Sequence, residues 1–179
     1  MTRISSFRRR LLLPALLLML GAAPATLLSS CESDYQKETE KHTAEQKVKD
    51  DEAIRAYLTK NNITNFTKTE SGLYLVPITE GTGAQVVKGT SYQVKYIGQL
   101  LNGTKFDSSI DNGSPCGCFN VLVGANGVIA GWEEALLLMK IGDRKTLLIP
   151  SYLAYGARES GIIPADSPLM FDIEVLRQR

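Results

Sequence analysis

Leu169-Met170-Phe171-Asp172-Ile173-Glu174-Val175-Leu176 is the stretch on which the fold turns. Leu169, Phe171, Ile173 and Val175 alternate with Met170, Asp172 and Glu174. Successive side chains of a strand point to opposite faces, so this segment carries one apolar and one polar face. Toward the N-terminus the same two-residue period recurs. Tyr92, Val94 and Tyr96 alternate with Gln93 and Lys95. Leu73, Leu75 and Pro77 alternate with Tyr74, Val76 and Ile78, bounded by Gly81-Thr82-Gly83. Arg144 to Ile149 reads as another strand, stopped by Pro150, and Phe119 to Val123 as a shorter one. Leu101-Asn102-Gly103-Thr104 predicts a hairpin, because Asn-Gly supplies the positive-φ positions of a type I′ turn.

One stretch breaks the period. From Trp132 to Lys140, the residues Trp132, Leu136 and Met139 follow helical spacing, and Gly142 closes the run. This helix is apolar on most of its surface, which suits an element enclosed by a curved sheet. Four or five antiparallel strands with one helix against them make an α+β fold. Upstream, Ile54, Tyr57 and Leu58 fall at i, i+3, i+4 and predict a short helix ended by Asn61-Asn62. A helix of about a dozen residues is marginal alone, so it is expected to pack on the domain behind it; dimerisation is the other reading, with a thin interface. Residues 32–50 are polar, with Val48 the only aliphatic, and read as a tether that cannot bury enough surface to fold alone.

The 179 residues carry a formal charge of +1, but it is unevenly placed. Residues 1–30 hold Arg3, Arg8, Arg9 and Arg10 and no acid; without them the charge is −3. A chain of that sign lacks the concentrated positive charge on which nucleic-acid binding depends, so no nucleic-acid partner is expected. The arginines precede an apolar run, Leu11 to Leu20, then small residues, then Cys31, which is the layout of an export signal. Pro14, Gly21 and Pro24 interrupt what a spanning helix of about 20 apolar residues would need. Leu28-Ser29-Ser30-Cys31 resembles the bacterial lipobox, in which the cysteine is lipidated and becomes N-terminal. An ordinary signal or an uncleaved anchor, with Cys31 incidental, is the competing reading. The lipoprotein reading places the chain on a membrane of the bacterial cell envelope, on its periplasmic or surface face, held by its acyl chains.

Cys116 and Cys118 remain, separated by Gly117. A local disulfide in an oxidising compartment and two free thiols in a loop are both open. Metal binding is disfavoured, since His42 is the only histidine and no second cysteine pair exists.

Several ordered strings resemble the FKBP-type peptidyl-prolyl isomerases. They are Val94-Lys95-Tyr96-Ile97-Gly98; Gly103-Thr104-Lys105-Phe106-Asp107-Ser108-Ser109; Val128-Ile129-Ala130-Gly131-Trp132-Glu133-Glu134; Ile149-Pro150 with Tyr155-Gly156; and Gly161-Ile162-Ile163-Pro164 followed by the strand quoted first. The resemblance covers residues 72–177. It implies an antiparallel half-barrel of five or six strands wrapped around one short helix, with the substrate pocket between them. It also implies that Tyr96, Phe106, Asp107, Phe119, Val128, Ile129, Trp132, Tyr155, Ile163 and Phe171 build that pocket. Trp132 is its expected floor, and Tyr96, Phe106 and Phe171 its walls. The Ile129 N–H and the Tyr155 hydroxyl are the expected donors to the bound peptide.

The sequence departs from the family pattern at three places. No arginine occurs in Ile110-Asp111-Asn112-Gly113-Ser114-Pro115, where the family often has one that pairs with the aspartate, so the partner of Asp107 is open. Gly127 stands where related proteins often carry a longer side chain. Ala157-Arg158-Glu159-Ser160 replaces a loop that usually bears an aromatic or histidine.

The expected organisation is then a signal over 1–30, a tether over 31–49, a short helix and linker over 50–71, and an isomerase domain over 72–179. The implied function is isomerisation of X–Pro bonds in unfolded or exported proteins, by a monomer, without cofactor or metal, in a pocket that accommodates a macrolide inhibitor. A non-catalytic peptide-binding module or holdase using the same apolar cleft is the alternative, because fold alone does not decide function.

Overall fold

The computed structural model describes residues 28–111, 113 and 115–179. Most of the expected signal, residues 1–27, lies outside the described residues, as does the side chain of Cys31. Two compact units divide after Gln36. The second, Lys37–Arg179, holds the sheet and everything that follows here.

Seven strands form one antiparallel sheet: β1 (Thr67–Lys68), β2 (Tyr74–Thr79), β3 (Ser91–Leu100), β4 (Lys105–Ser108), β5 (Phe119–Leu122), β6 (Arg144–Ile149) and β7 (Leu169–Gln178). Their order is β1-β2-β6-β7-β3-β4, with β5 pairing β3 beyond β4. β7 is central, and its two-residue period does what was expected. Leu169, Phe171, Ile173 and Val175 are buried, while the residues between them are not. Register follows from this alternation, because a one-residue slip would turn the apolar set to solvent. Phe171 stands opposite Leu147 on β6 and Gly98 on β3, and Ile173 opposite Tyr96. The strand count exceeds the expected four to six because β1, at two residues, is too short to show a period.

On one face lies α2 (Ala130–Leu137), which turns Gly131, Trp132, Ala135 and Leu136 into the core. It approaches the sheet closely at Gly131, where a Cβ would stand 2.4 Å from the Ile149 Cγ2. Any side chain there would push the helix off β6. Leu137 and Leu138 are exposed, so the helix is enclosed on three sides rather than all round.

On the opposite face lies the part of α1 (Leu28–Lys60) that belongs to this unit. Its Ile54 and Leu58 are buried and pack with Tyr74 and Leu148 in a second apolar cluster, flanked by Met170 and Val76. The docking expected of this helix is therefore present, and it explains why Tyr74, on the outer side of β2, is fully buried. Burying Ile54 and Leu58 contributes about 3–6 kcal/mol at most by area transfer.

The tether expected over 31–49 is corrected: α1 runs through it without interruption. Composition describes what a segment can do alone, but this one is not alone. Once residues 50–60 are docked, the costly helix nucleus already exists, and each upstream residue adds a hydrogen bond. Glu, Lys, Gln and Ala are good helix formers. Gln46 donates to the Asp166 carbonyl at 3.1 Å, and His42 Nε2 lies 3.0 Å from the Asp166 carboxylate. The helix ends where expected, after Lys60, with Asn62 at φ +54°.

The hairpin between β3 and β4 is present, but its turn differs. Of Asn102 and Gly103 only Gly103 takes positive φ, at +90°, and Gly103 N–H donates to the Leu100 carbonyl. The glycine thus follows the turn instead of sitting inside it. The accompanying register shift between Gly98 and Gln99 marks a bulge.

Candidate active site

β3 carries Tyr96 on its concave face, β7 carries Phe171 beside it, and α2 lays Trp132 across both. Tyr96 and Trp132 have ring centroids 4.9 Å apart at 83°, and Trp132 and Phe171 5.2 Å at 86°. Phe119, at the start of β5, meets Tyr96 edge-on at 6.0 Å and Trp132 at 6.4 Å. These are edge-to-face pairs, in which the positive ring edge of one meets the negative face of the next. Residues far apart in sequence thereby become a rigid aromatic wall.

A cleft of about 250 Å³ opens against this wall. It is lined by Tyr96, Asp107, Phe119, Val128, Ile129, Trp132, Tyr155 and Phe171, all expected, and by Gly127. In the sequence Gly127 is only a departure from the family pattern. A Cβ there would meet nothing within 4 Å, so glycine widens one lip of the cleft.

The other two expected residues adjoin this lining. The Phe106 ring meets Phe171 edge-to-face at 5.4 Å and 80°, over Gly98 on the face of β3 that carries Tyr96. Ile163 is 4% exposed and belongs to the main core. Paired bonds between Ser160 and Ile163, each N–H donating to the other's carbonyl at 3.0 Å, draw that loop inward.

The open question about Asp107 has a geometric answer. Tyr96 donates its hydroxyl to Asp107 Oδ2 at 2.7 Å, and the Ser108 N–H donates to Oδ1 at 2.8 Å. Burial, and then this bond to the carboxylate, pushes the Tyr96 phenol well above its ordinary range. The phenol therefore remains a donor at any physiological pH.

Ser109, which no apolar periodicity marks, is fully buried. Its Oγ accepts from the Tyr96 N–H at 3.0 Å and donates to the Gly117 carbonyl at 2.7 Å. It thus joins β3 to the Cys116-Gly117-Cys118 loop, in which the two cysteines form a disulfide. The sequence signal was present in the Ser-Ser pair after Phe106-Asp107, but a serine on a strand end usually faces solvent.

At the rim, Ile129 is the residue preceding α2, and its carbonyl accepts from the Trp132 and Glu133 N–H groups. Its own N–H has no acceptor among the described residues. Tyr155 is 39% exposed, on the loop after β6. The buried Trp132 Nε1 also lacks a partner among the described residues.

This is an aromatic cleft with hydrogen-bond donors at its edge. It holds no serine–histidine or cysteine–histidine pair, and no cluster among the described residues could bind a metal. A larger depression, about 400 Å³, lies between α1 and Tyr152. Its lining is mostly charged (Lys47, Asp51, Glu52, Lys68, Glu70), which does not suit an apolar ring. The smaller cleft is the better candidate because binding sites combine an apolar lining with few convergent polar groups.

Comparison with known proteins places this geometry. An FK506-binding protein of Neisseria meningitidis serogroup B is 42% identical over 107 residues, 59% of this chain and 95% of that protein. The FKBP-type peptidyl-prolyl cis-trans isomerase FkpA of Aeromonas hydrophila is 39% identical over 137 residues, 76% of this chain but only 48% of its own length. The chain thus spans about half of that relative. Among solved structures, FkpA from Escherichia coli aligns with a TM-score of 0.63 at 28% identity, covering 84% of this chain and 67% of that one. AtFKBP13 aligns at 0.61 and 35% identity, covering 65% of this chain and all of its own. Residues 83–176, more than half of the sequence and the whole of the cleft, match the model of one family, and the chain belongs to it: the FKBP-type peptidyl-prolyl cis-trans isomerases.

Proposed function

We propose that this cleft catalyses cis/trans rotation of X–Pro bonds in exported proteins at the bacterial envelope, with Cys31 as a lipid anchor. The single observation that carries the catalytic part is the edge-to-face aromatic cleft with unpaired donors at its rim and no nucleophile within it. Rotation about a peptide bond faces a barrier of about 18–20 kcal/mol, because amide resonance must be broken. No bond to the enzyme is needed. What lowers the barrier is an environment more favourable to the twisted amide than to the planar one.

The residues divide this work. Tyr96, Trp132, Phe119 and Phe171 enclose the proline ring and keep water from the amide. The planar amide is the more polar form, so leaving water disfavours it more than the twisted form. The Ile129 N–H and the Tyr155 hydroxyl hold the flanking carbonyls while the bond turns. Asp107 fixes the Tyr96 ring through the 2.7 Å bond. Phe106 stands beside Phe171 and keeps it in place. An FK506-type macrolide is expected to compete for the same cleft, in keeping with the name of the Neisseria relative.

Envelope placement rests on the basic-apolar leader, on Leu28-Ser29-Ser30-Cys31, and on the likeness to FkpA proteins. No helix among the described residues is long and apolar enough to cross a membrane. Intact-mass analysis of membrane-extracted protein tests the anchor: loss of residues 1–30 and a gain of acyl chains are expected. A mass beginning at Met1, or unchanged membrane retention of Cys31→Ala, would refute it. Catalysis is tested by isomerisation of X–Pro peptides with and without a macrolide. Binding without acceleration would make the domain a holdase.

A further inference from the structure

We infer that Asp50 is a positioning residue for Tyr155, acting from α1 through Ser151; this rests on the donor role proposed above for Tyr155. Asp50 is 1% exposed and lies 101 positions before the residue it holds. One carboxylate oxygen accepts both the Ser151 N–H and the Ser151 hydroxyl, each at 2.7 Å. The other accepts the Gln46 amide at 2.7 Å. Ser151, itself 1% exposed, then turns its carbonyl toward the loop. That carbonyl accepts the Ala154 N–H at 2.9 Å and the Gly156 N–H at 2.8 Å. These two residues flank Tyr155.

The far end of the loop is held from the same helix. The Gly156 carbonyl accepts the Asp166 N–H at 2.8 Å. Asp166 in turn bonds Gln46 through its carbonyl and His42 through its carboxylate. One face of α1 therefore grips the loop at Ser151 and at Asp166, on either side of the exposed tyrosine.

The chemistry of Asp50 is more than attachment requires. Ile54 and Leu58 already dock α1 on the sheet. A buried carboxylate is tolerated only when fully hydrogen-bonded, and its removal from water is expensive. It does what an apolar residue cannot. By taking both donors of one serine, it fixes the place and the rotation of Ser151, with bonds roughly twice as strong as neutral ones. Catalysis by positioned groups is sensitive to small displacements, and a misplacement of about 1 Å can cost on the order of a hundredfold. A tyrosine 39% exposed on a loop is held only in part by packing, so this backbone bracing helps set where its hydroxyl stands.

A double-mutant cycle on the full chain tests this, with kcat and KM measured on an X–Pro peptide and Tm alongside. Asp50→Asn should lower kcat/KM by about three- to tenfold in the native background, chiefly through kcat. In the Tyr155→Phe background the same change should lower it by less than about twofold, because coupled residues are non-additive. Ser151→Ala loses only the hydroxyl bond and should repeat the pattern with a smaller first step. It carries the cycle if Asp50→Asn proves poorly folded. An equal or greater loss in both backgrounds would show that Asp50 acts on the fold at large, and no loss in the native background would show that it does not act on the reaction; either overturns the assignment. Tyr155→Phe without effect on its own would instead refute the donor role, and the positioning with it, while leaving the isomerase reading intact.

Discussion

Gly98→Ala adds one methyl group at the centre of the sheet, and the structure says where it goes. Gly98 pairs with Phe171 on β7 and Asp107 on β4. A Cβ built there stands 2.6 Å from Phe106 Cε2, 2.8 Å from Phe171 Cε1 and 2.9 Å from Phe106 Cζ. The backbone of Gly98 is not in the positive-φ region, so alanine meets no conformational strain and the effect is steric. Phe106 is half-buried and can swing outward, but Phe171 is 5% exposed and held by Trp132 and Tyr96. Overpacking of this kind costs about 1–3 kcal/mol, and the stiffer unfolded chain offsets about 0.4–1 kcal/mol. The net loss is about 1–2 kcal/mol, a fall in Tm of about 2–8 °C at this chain length. Since Phe171 is a wall of the cleft, KM for an X–Pro peptide should rise as well. Gly127→Ala is the control: same substitution, same cleft, but nothing within 4 Å of the new methyl. Its Tm should be equal or slightly higher, with the cleft narrowed only at the lip. Thermal unfolding followed by circular dichroism, with kinetics on the same preparations, reads both. A Gly98→Ala protein as stable and as active as the parent would mean that Phe106 and Phe171 do not meet over Gly98.

The remaining predictions span the cleft, the electrostatics and the disulfide loop. Trp132→Ala removes a side chain 4% exposed. Loss of such an aromatic costs about 3–5 kcal/mol, set at the lower end here because the unpartnered indole N–H goes with it; urea unfolding and macrolide titration should show both lower stability and weaker binding. Tyr155→Phe should lower kcat/KM by about 0.5–1.5 kcal/mol, the value of a neutral hydrogen bond, with Tm unchanged because the side chain is exposed. Burial raises the Asp51 carboxyl, but bonds from Lys68, Tyr74 and Arg55 outweigh it and hold the group well below the usual carboxylate range. Its folded pKa is thus below the unfolded one, so its stabilisation is complete above about pH 4 and is lost as pH falls toward the folded value. The Tm difference between the parent and Asp51→Asn should be constant from about pH 5 to 8 and shrink below about pH 4. Replacing Cys116 and Cys118 by serine should change kcat/KM by less than about tenfold, or 1.4 kcal/mol, since no thiolate takes part in the rotation.

Much of this was legible in the sequence because alternation is a local signal. The period of β7 states which side chains enter the core, and the structure buries those residues. The cleft was legible only through motif order, since no local pattern brings Tyr96, Trp132 and Phe171 together. What could not be read depends on contacts remote in sequence. The helical state of residues 31–49 follows from docking at Ile54 and Leu58 and from the Asp166 bonds. The partner of Asp107 is a tyrosine eleven positions earlier, joined by pairing of β3 and β4. Ile163 stands in the main core, a depth set by the paired Ser160 and Ile163 bonds of its loop, which a motif string does not show.

The most direct test of the central claim is two-dimensional NMR exchange on an X–Pro peptide mixed with substoichiometric full-length protein. The cis/trans exchange rate should rise in proportion to protein concentration, return to the uncatalysed value when a macrolide fills the cleft, and be accompanied by a shift of the Trp132 indole resonance. A peptide that shifts the Trp132 resonance while its exchange rate stays at the uncatalysed value would contradict the account, leaving a cleft that binds proline without turning its bond.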